Sequence, residues 1–249
     1  MSKFINRFFA LAAVITYLVN GHGSAQGLQP RSQIRPLLFW ADKLQQNINP
    51  SNTKYQHKDN VVSWGDDGNN LQCYTDCSGF INALIAKSFN WKDDDFKAQF
   101  GYRRMFAYHY YDAISSGNHF QQVKNINDIL PGDIIALKYA DRSEHEDNTG
   151  HVMLIISRPR PHRPSKILEP NTLQYEVEII DCSKSPHGKS DTRFTGDGQE
   201  YSGLGKGLFR LYTDGSGNIV AYSWSTGNPK EGFNPFENAV TVGRFSPNN

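Results

Sequence analysis

The apolar residues of this chain change their spacing once, and that change limits the folds open to it. Before Asp128 they recur at helical intervals, as in Leu37, Leu38, Trp40, Ala41 and Leu44 within Arg35 to Gln46, and in Phe80, Ile81, Leu84, Ile85 and Phe89. A further helix is expected over Lys97 to Ile114, where Phe100, Met105, Phe106 and Tyr110 are available for packing. After the turn Asp128-Ile129-Leu130-Pro131-Gly132 the pattern becomes one of short strands: Asp133 to Tyr139, Val152 to Ser157 and Tyr175 to Ile180. Leu208 to Tyr212 and Ile219 to Trp224 flank Asp214-Gly215-Ser216-Gly217-Asn218, a hairpin loop rich in residues that tolerate positive φ. Helices first and an antiparallel sheet second predict an α+β domain.

The N-terminus carries Lys3 and Arg7 ahead of an apolar run from Phe8 to Val19, followed by Gly23-Ser24-Ala25. This reads as a secretory signal peptide over residues 1–25, because a bilayer span needs about 20 apolar residues and the small residues suit cleavage after Ala25. No cysteine lies near the cut, so a lipoprotein anchor is not indicated. The expectation is a secreted or periplasmic protein with no stable membrane anchor, residues 26–249 forming a single domain with N-terminal helical and C-terminal extensions. Its 26 basic and 25 acidic residues nearly cancel and are scattered, which argues against a nucleic-acid partner.

Chemistry enters at Thr75-Asp76-Cys77-Ser78-Gly79-Phe80, where a turn-forming stretch gives way to the apolar helix. Asp76 is a good N-cap residue, which places Cys77 at the positive end of a helix dipole and favours its thiolate. His151 opens the strand Val152-Met153-Leu154-Ile155-Ile156, and Asp181 closes the strand Val177-Glu178-Ile179-Ile180. With those strands side by side against the helix, an imidazole can take the thiol proton and a carboxylate can orient the imidazole.

Asp76-Cys77-Ser78-Gly79-Phe80-Ile81, Leu130-Pro131-Gly132-Asp133-Ile134-Ile135 and Gly150-His151-Val152, in this order, resemble the NlpC-type cell-wall cysteine peptidases. The resemblance spans Val61 to Ser183 and implies a reduced papain-like fold: a nucleophile-bearing helix packed on an antiparallel sheet. It implies Cys77 as nucleophile, His151 as base and a polar third residue, for which Asp181 fits, with Ser183 and His187 as alternatives. The implied function is an exported cysteine hydrolase cleaving amide bonds in peptidoglycan stem peptides. A secreted amidase or acyltransferase toxin with a non-wall substrate and a non-catalytic wall-binding protein are the competing readings. The chain departs from the family in carrying Val62-Ser63-Trp64-Gly65-Asp66 where a Tyr and a Trp-Gly-Gly segment are usual. It also has a basic, proline-rich insert, Arg158 to Pro164, expected as an exposed loop.

Trp64, Tyr74, Ser78 and Arg193 are candidate substrate contacts, Arg193 as a bidentate clamp on a substrate carboxylate. Cys73, Cys77 and Cys182 are an odd number for an oxidising compartment, so parity leaves two alternatives open, a Cys73–Cys182 disulfide with Cys77 free or three reduced thiols. The same thiols with His151 and His187 supply sulfur and nitrogen, but no Cys-x2-Cys knuckle is present, and neither metal nor cofactor is expected.

Overall fold

In the computed structural model the described residues are 30–247, apart from residue 67 and the segments 141–148, 164–168 and 228–237. The expected signal peptide therefore lies outside the described residues, as does most of the charged loop before His151. In chain order the first elements are α1 (Pro30–Asn47), β1 (Thr53–Tyr55), β2 (Val61–Ser63), β3 (Gln72–Thr75) and α2 (Cys77–Phe89). They are followed by α3 (Asp93–Phe100), α4 (Ala107–Ser116), β4 (Phe120–Gln122), β5 (Ile134–Tyr139) and β6 (Gly150–Ile155). The chain continues with β7 (Arg160–Pro161), β8 (Leu173–Ser183), β9 (Gly203–Thr213), β10 (Ile219–Ser223) and β11 (Asn238–Phe245). This is an α+β arrangement with an antiparallel main sheet. No described helix is long and apolar enough to cross a membrane.

α2 starts where Asp76 accepts the Gly79 N–H at 2.6 Å and stops at Asn90, whose φ of 55° is left-handed. The helix expected over Lys97 to Ile114 is instead two. Gly101, with φ of 84°, ends α3, and α4 begins only at Ala107. A left-handed residue cannot continue the i to i−4 ladder, and the packing residues at each side of the break could not reveal it.

The main sheet runs β10-β9-β8-β6-β5-β11-β4, with β7 attached to β8. Every described pairing in it is antiparallel. Alternation along its strands divides two cores. Ile134, Ala136, Val152, Leu154, Ile180 and Cys182 face α1, α2 and α4, whereas Ile135, Leu137, Met153, Ile155, Val177, Ile179, Phe209 and Leu211 face the other way. The insert expected as a loop contributes exposed Arg160 and Pro161 to β7. β11, in a C-terminal segment of no evident purpose in sequence, lies between β5 and β4. Its Arg244 grips Asp133 of the Pro-Gly-Asp turn through Nε at 2.8 Å and a second nitrogen at 2.9 Å.

Before α2 stands a small sheet that the sequence did not announce, with β3 parallel to β1 and antiparallel to β2. It delivers the chain into Cys77.

Candidate active site

Cys77 is the first residue of α2 and is 4% exposed. Its neighbours explain the motif. Asp76 Oδ1 takes the Gly79 N–H and the Ser78 hydroxyl, the latter at 3.0 Å, and a Cβ at position 79 would meet Thr75 Oγ1 at 2.0 Å. Only glycine allows that approach. Asp76 Oδ2 receives Arg104 at 2.5 Å and faces His57 Nδ1 at 3.4 Å.

The backbone N–H groups of Val152 and Ser78 face the Cys77 sulfur and favour its anion. β6 and β8 pair only through Leu154–Ile180 and Ile155–Ile179, then part, and the thiol takes up the Val152 N–H that pairing would otherwise use. Burial pushes the thiol well above its usual range, Asp76 adds to that, and the two N–H donors only partly offset it. This corrects the expectation of a resting thiolate: one helix end is a weak term beside desolvation and an adjacent carboxylate. Burial first, and then the electrostatic influence of Cys77, raises the phenols of Tyr55, Tyr110 and Tyr139, that of Tyr139 to about 12.

His151 and Asp181 meet as expected. His151 Nε2 lies 2.5 Å from Asp181 Oδ2, with both side chains buried. The glycine before His151 has φ of 148°, and a Cβ there would meet the Leu137 carbonyl at 1.9 Å, so Gly150 lets β6 start hard against β5. By alternation His151 shares the face of Met153 and Ile155, while Cys77 packs with Val152 and Leu154 on the other. The structure therefore brings the sulfur to the strand carrying the imidazole, one residue along, without a hydrogen bond between the two side chains. Burial lowers the affinity of His151 for a second proton despite the opposing pull of Asp181, leaving a neutral base at neutral pH.

Behind the pair lies a buried network that the sequence did not foretell. Arg193 bonds Asp181 Oδ1, the Asp181 carbonyl at 2.7 Å, Asp191 Oδ2 at 2.8 Å and the Gly203 carbonyl at 2.8 Å. Its guanidinium is fully buried, so the expected clamp on a substrate carboxylate is corrected: Arg193 holds two carboxylates of its own protein. Burial opposes ionisation of Asp181, but Arg193, His187 and His151 together hold the carboxyl well below its usual range. His187 Nε2 reaches Asp181 Oδ2 at 2.9 Å and its Nδ1 reaches the Trp224 carbonyl at 2.7 Å. The Trp224 ring stacks on His187 at 4.1 Å and meets His151 edge-on at 4.9 Å. The signal in sequence is Gly203-Leu204-Gly205-Lys206-Gly207: a Cβ at 205 would meet the Arg193 guanidinium at 2.7 Å, and one at 207 would meet Asp191 Oδ2 at 2.5 Å.

The other expected contacts lie elsewhere. Tyr74 donates its hydroxyl to the Ser51 carbonyl at 3.1 Å and alternates away from the buried Cys73 and Thr75. Ser78 is buried as part of the Asp76 cap. Trp64 packs on Trp40 at 5.9 Å and lines a groove of 690 Å³ with Lys43, Asn49 and Asn70. Of the two alternatives for the cysteines, the structure has the three reduced thiols. All three cysteines are buried free thiols, and Cys182 donates to the Thr75 carbonyl at 2.9 Å beside Cys73. His151, Asp181 and His187 have ligand atoms within 4.8 Å of one another. Yet they hydrogen-bond each other, and Arg193 already supplies the positive charge that an ion would bring.

No protein-family profile matches the chain, and no solved structure matches it. A curated relative does: the mimivirus protein described as "Uncharacterized protein R653", from Acanthamoeba polyphaga mimivirus, is 38% identical over 217 residues. The alignment covers 84% of this chain and 95% of the relative. At that identity over nearly the whole relative, the chain belongs to one family with this mimivirus protein.

Proposed function

We propose that the chain is an exported cysteine hydrolase of papain-like fold that cleaves amide bonds, with peptidoglycan stem peptides as the default substrate. The observation that carries this reading is the seat of Cys77: a thiol at a helix start, against the N–H of the residue that follows His151, with His151 oriented by a buried carboxylate. His151 Nε2 is committed to Asp181, so Nδ1 is the nitrogen left to accept the thiol proton. The thiol rests protonated, and in the proposed step its proton passes to Nδ1 as the sulfur attacks the scissile carbonyl. The C–N bond breaks as His151 returns the proton to the leaving amine. Water, deprotonated by His151, then hydrolyses the thioester and frees the thiol. The helix-start N–H of Cys77 is the proposed oxyanion donor.

Digestion of purified peptidoglycan by the protein and by Cys77→Ala, read by mass spectrometry of released fragments, tests the reading. Stem-peptide fragments from the wild type alone are expected; fragments from both proteins, or from neither, reject it. A second reading, a wall-binding protein without turnover, draws on the buried, protonated thiol. It predicts sedimentation with peptidoglycan sacculi and no released fragments.

A further inference from the structure

His187 is 1% exposed and both of its ring nitrogens face oxygen. Nδ1 lies 2.7 Å from the Trp224 carbonyl, a group that only accepts. Nε2 lies 2.9 Å from Asp181 Oδ2, and Asp181 Oδ1 is bound to the Arg193 guanidinium, so that carboxylate is ionised and also only accepts. A neutral imidazole owns one N–H. Whichever tautomer it chose, it would set a bare nitrogen against a bare oxygen in a buried site, where an unmet polar contact is costly. Two protons satisfy both contacts.

The charges agree with that count. Asp181 and Asp191 are two buried anions, and Arg193 alone is one cation. The groups facing His187 are Asp181 on β8, Asp191 and Arg193 on its own loop, His151 on β6, Phe209 on β9 and Trp224 beyond β10. A cationic ring balances the set, and the stacked indole at 4.1 Å offers it a π-face.

We propose that His187 is a positioning residue that carries protons on both ring nitrogens, and that it fixes His151 as the Nε2–H tautomer with a bare Nδ1. The link is Asp181 Oδ2, which accepts from His151 at 2.5 Å and from His187 at 2.9 Å. With Oδ1 on Arg193 the carboxylate cannot turn, and His151 must present an N–H to it. A second proton on His151 is then opposed by burial and by the positive charges of His187 and Arg193. That this matters for turnover rests on the proposed hydrolase; the protonation pattern does not.

The test is ring-nitrogen NMR of the full chain labelled with 15N-histidine, recorded against pH, with signals assigned by single histidine variants. Two protonated nitrogens on His187 at neutral pH, beside a His151 carrying a proton on Nε2 alone, are expected. A His187 with one bare nitrogen at neutral pH overturns the proposal. In His187→Gln, which keeps a donor but loses the charge, the His151 midpoint should rise, by on the order of one pH unit for the loss of a like charge so close. An unchanged midpoint in the folded variant also overturns it, and if that variant does not fold, the wild-type spectrum alone decides. Turnover is not read, so a failed peptidoglycan digestion bears on the function and not on His187.

Discussion

The Val152 N–H faces the Cys77 sulfur where β6 and β8 part, so the nucleophile candidate lies at the seam of the sheet while His151 shares the opposite face with Met153 and Ile155. A thiol so placed is protected until something opens the seam. Iodoacetamide should therefore modify Cys77 slowly at neutral pH, and the rate should still be climbing well above the ordinary thiol value of about 8.5. Asp76→Asn keeps a good N-cap and removes the carboxylate that adds to the upward shift, so its alkylation rate should exceed that of the wild type at every pH below the plateau. Rates measured by intact mass across a pH series check both statements; a plateau near neutrality would contradict them.

Acid should destabilise the fold in two stages, and the signs are fixed by two groups. His151 has its proton affinity lowered in the fold, so below about 6.5 the unfolded chain binds a proton that the native one resists, and stability falls with pH. Asp181 is held well below its usual range, so its contribution is complete above about 3.9 and is lost as pH drops further towards its folded value. Urea midpoints from neutral pH downward should decline in both windows. His151→Gln should remove the first decline and leave the second.

Removing the Asp181 charge should be costlier than its ion pair with Arg193 alone suggests. Asp181→Asn leaves Arg193 and its neighbours with one buried anion where two are needed, a loss of about 3–5 kcal/mol by analogy with broken buried pairs. Chemical denaturation of the variant checks it, and a loss below about 1 kcal/mol would show that solvent reaches the cluster.

What could be read in advance divides along locality. Asp76, Gly79 and the turn before Asp133 act within a few residues of themselves, through a cap, a close approach and a tight turn, so their motifs carry the structure in plain view. Arg193 does not. A long cation after Ser190, Asp191 and Thr192 reads as solvated, and its burial depends on Asp181, twelve residues away, and on a Cβ that Gly205 lacks. The break at Gly101 and the place of β11 are equally hidden, the first because packing residues continue on both sides, the second because its partners β5 and β4 are distant in sequence.

The glycines of β9 should be as demanding as any core position. Gly205→Ala sets a methyl group 2.7 Å from the Arg193 Cγ and Cζ, and the guanidinium cannot yield without releasing Asp181 or the Gly203 carbonyl. Overpacking of about 1–3 kcal/mol is expected, read as a lower urea midpoint with unchanged m. Gly215→Ala, in the open hairpin loop where a Cβ meets nothing, is the matched control and should change stability little.

Truncation before Asn238 distinguishes a structural strap from a removable lid. β11 pairs with β5 from Asn238 to Gly243 and with β4 from Gly243 to Phe245, and its Val242 is buried in the core beneath the sheet. Without it β5 becomes a raw edge next to β6, Asp133 loses both Arg244 contacts, and Phe245 leaves the aromatic cluster of Phe89, Trp91 and Phe120. A lid could be removed with the fold intact. A strand inside the sheet cannot, so the truncated chain should lose its cooperative thermal transition and aggregate, whereas Arg244→Gln in the full chain should keep the transition at a lower temperature. A soluble, cooperatively folding truncation would mean that the sheet closes without β11.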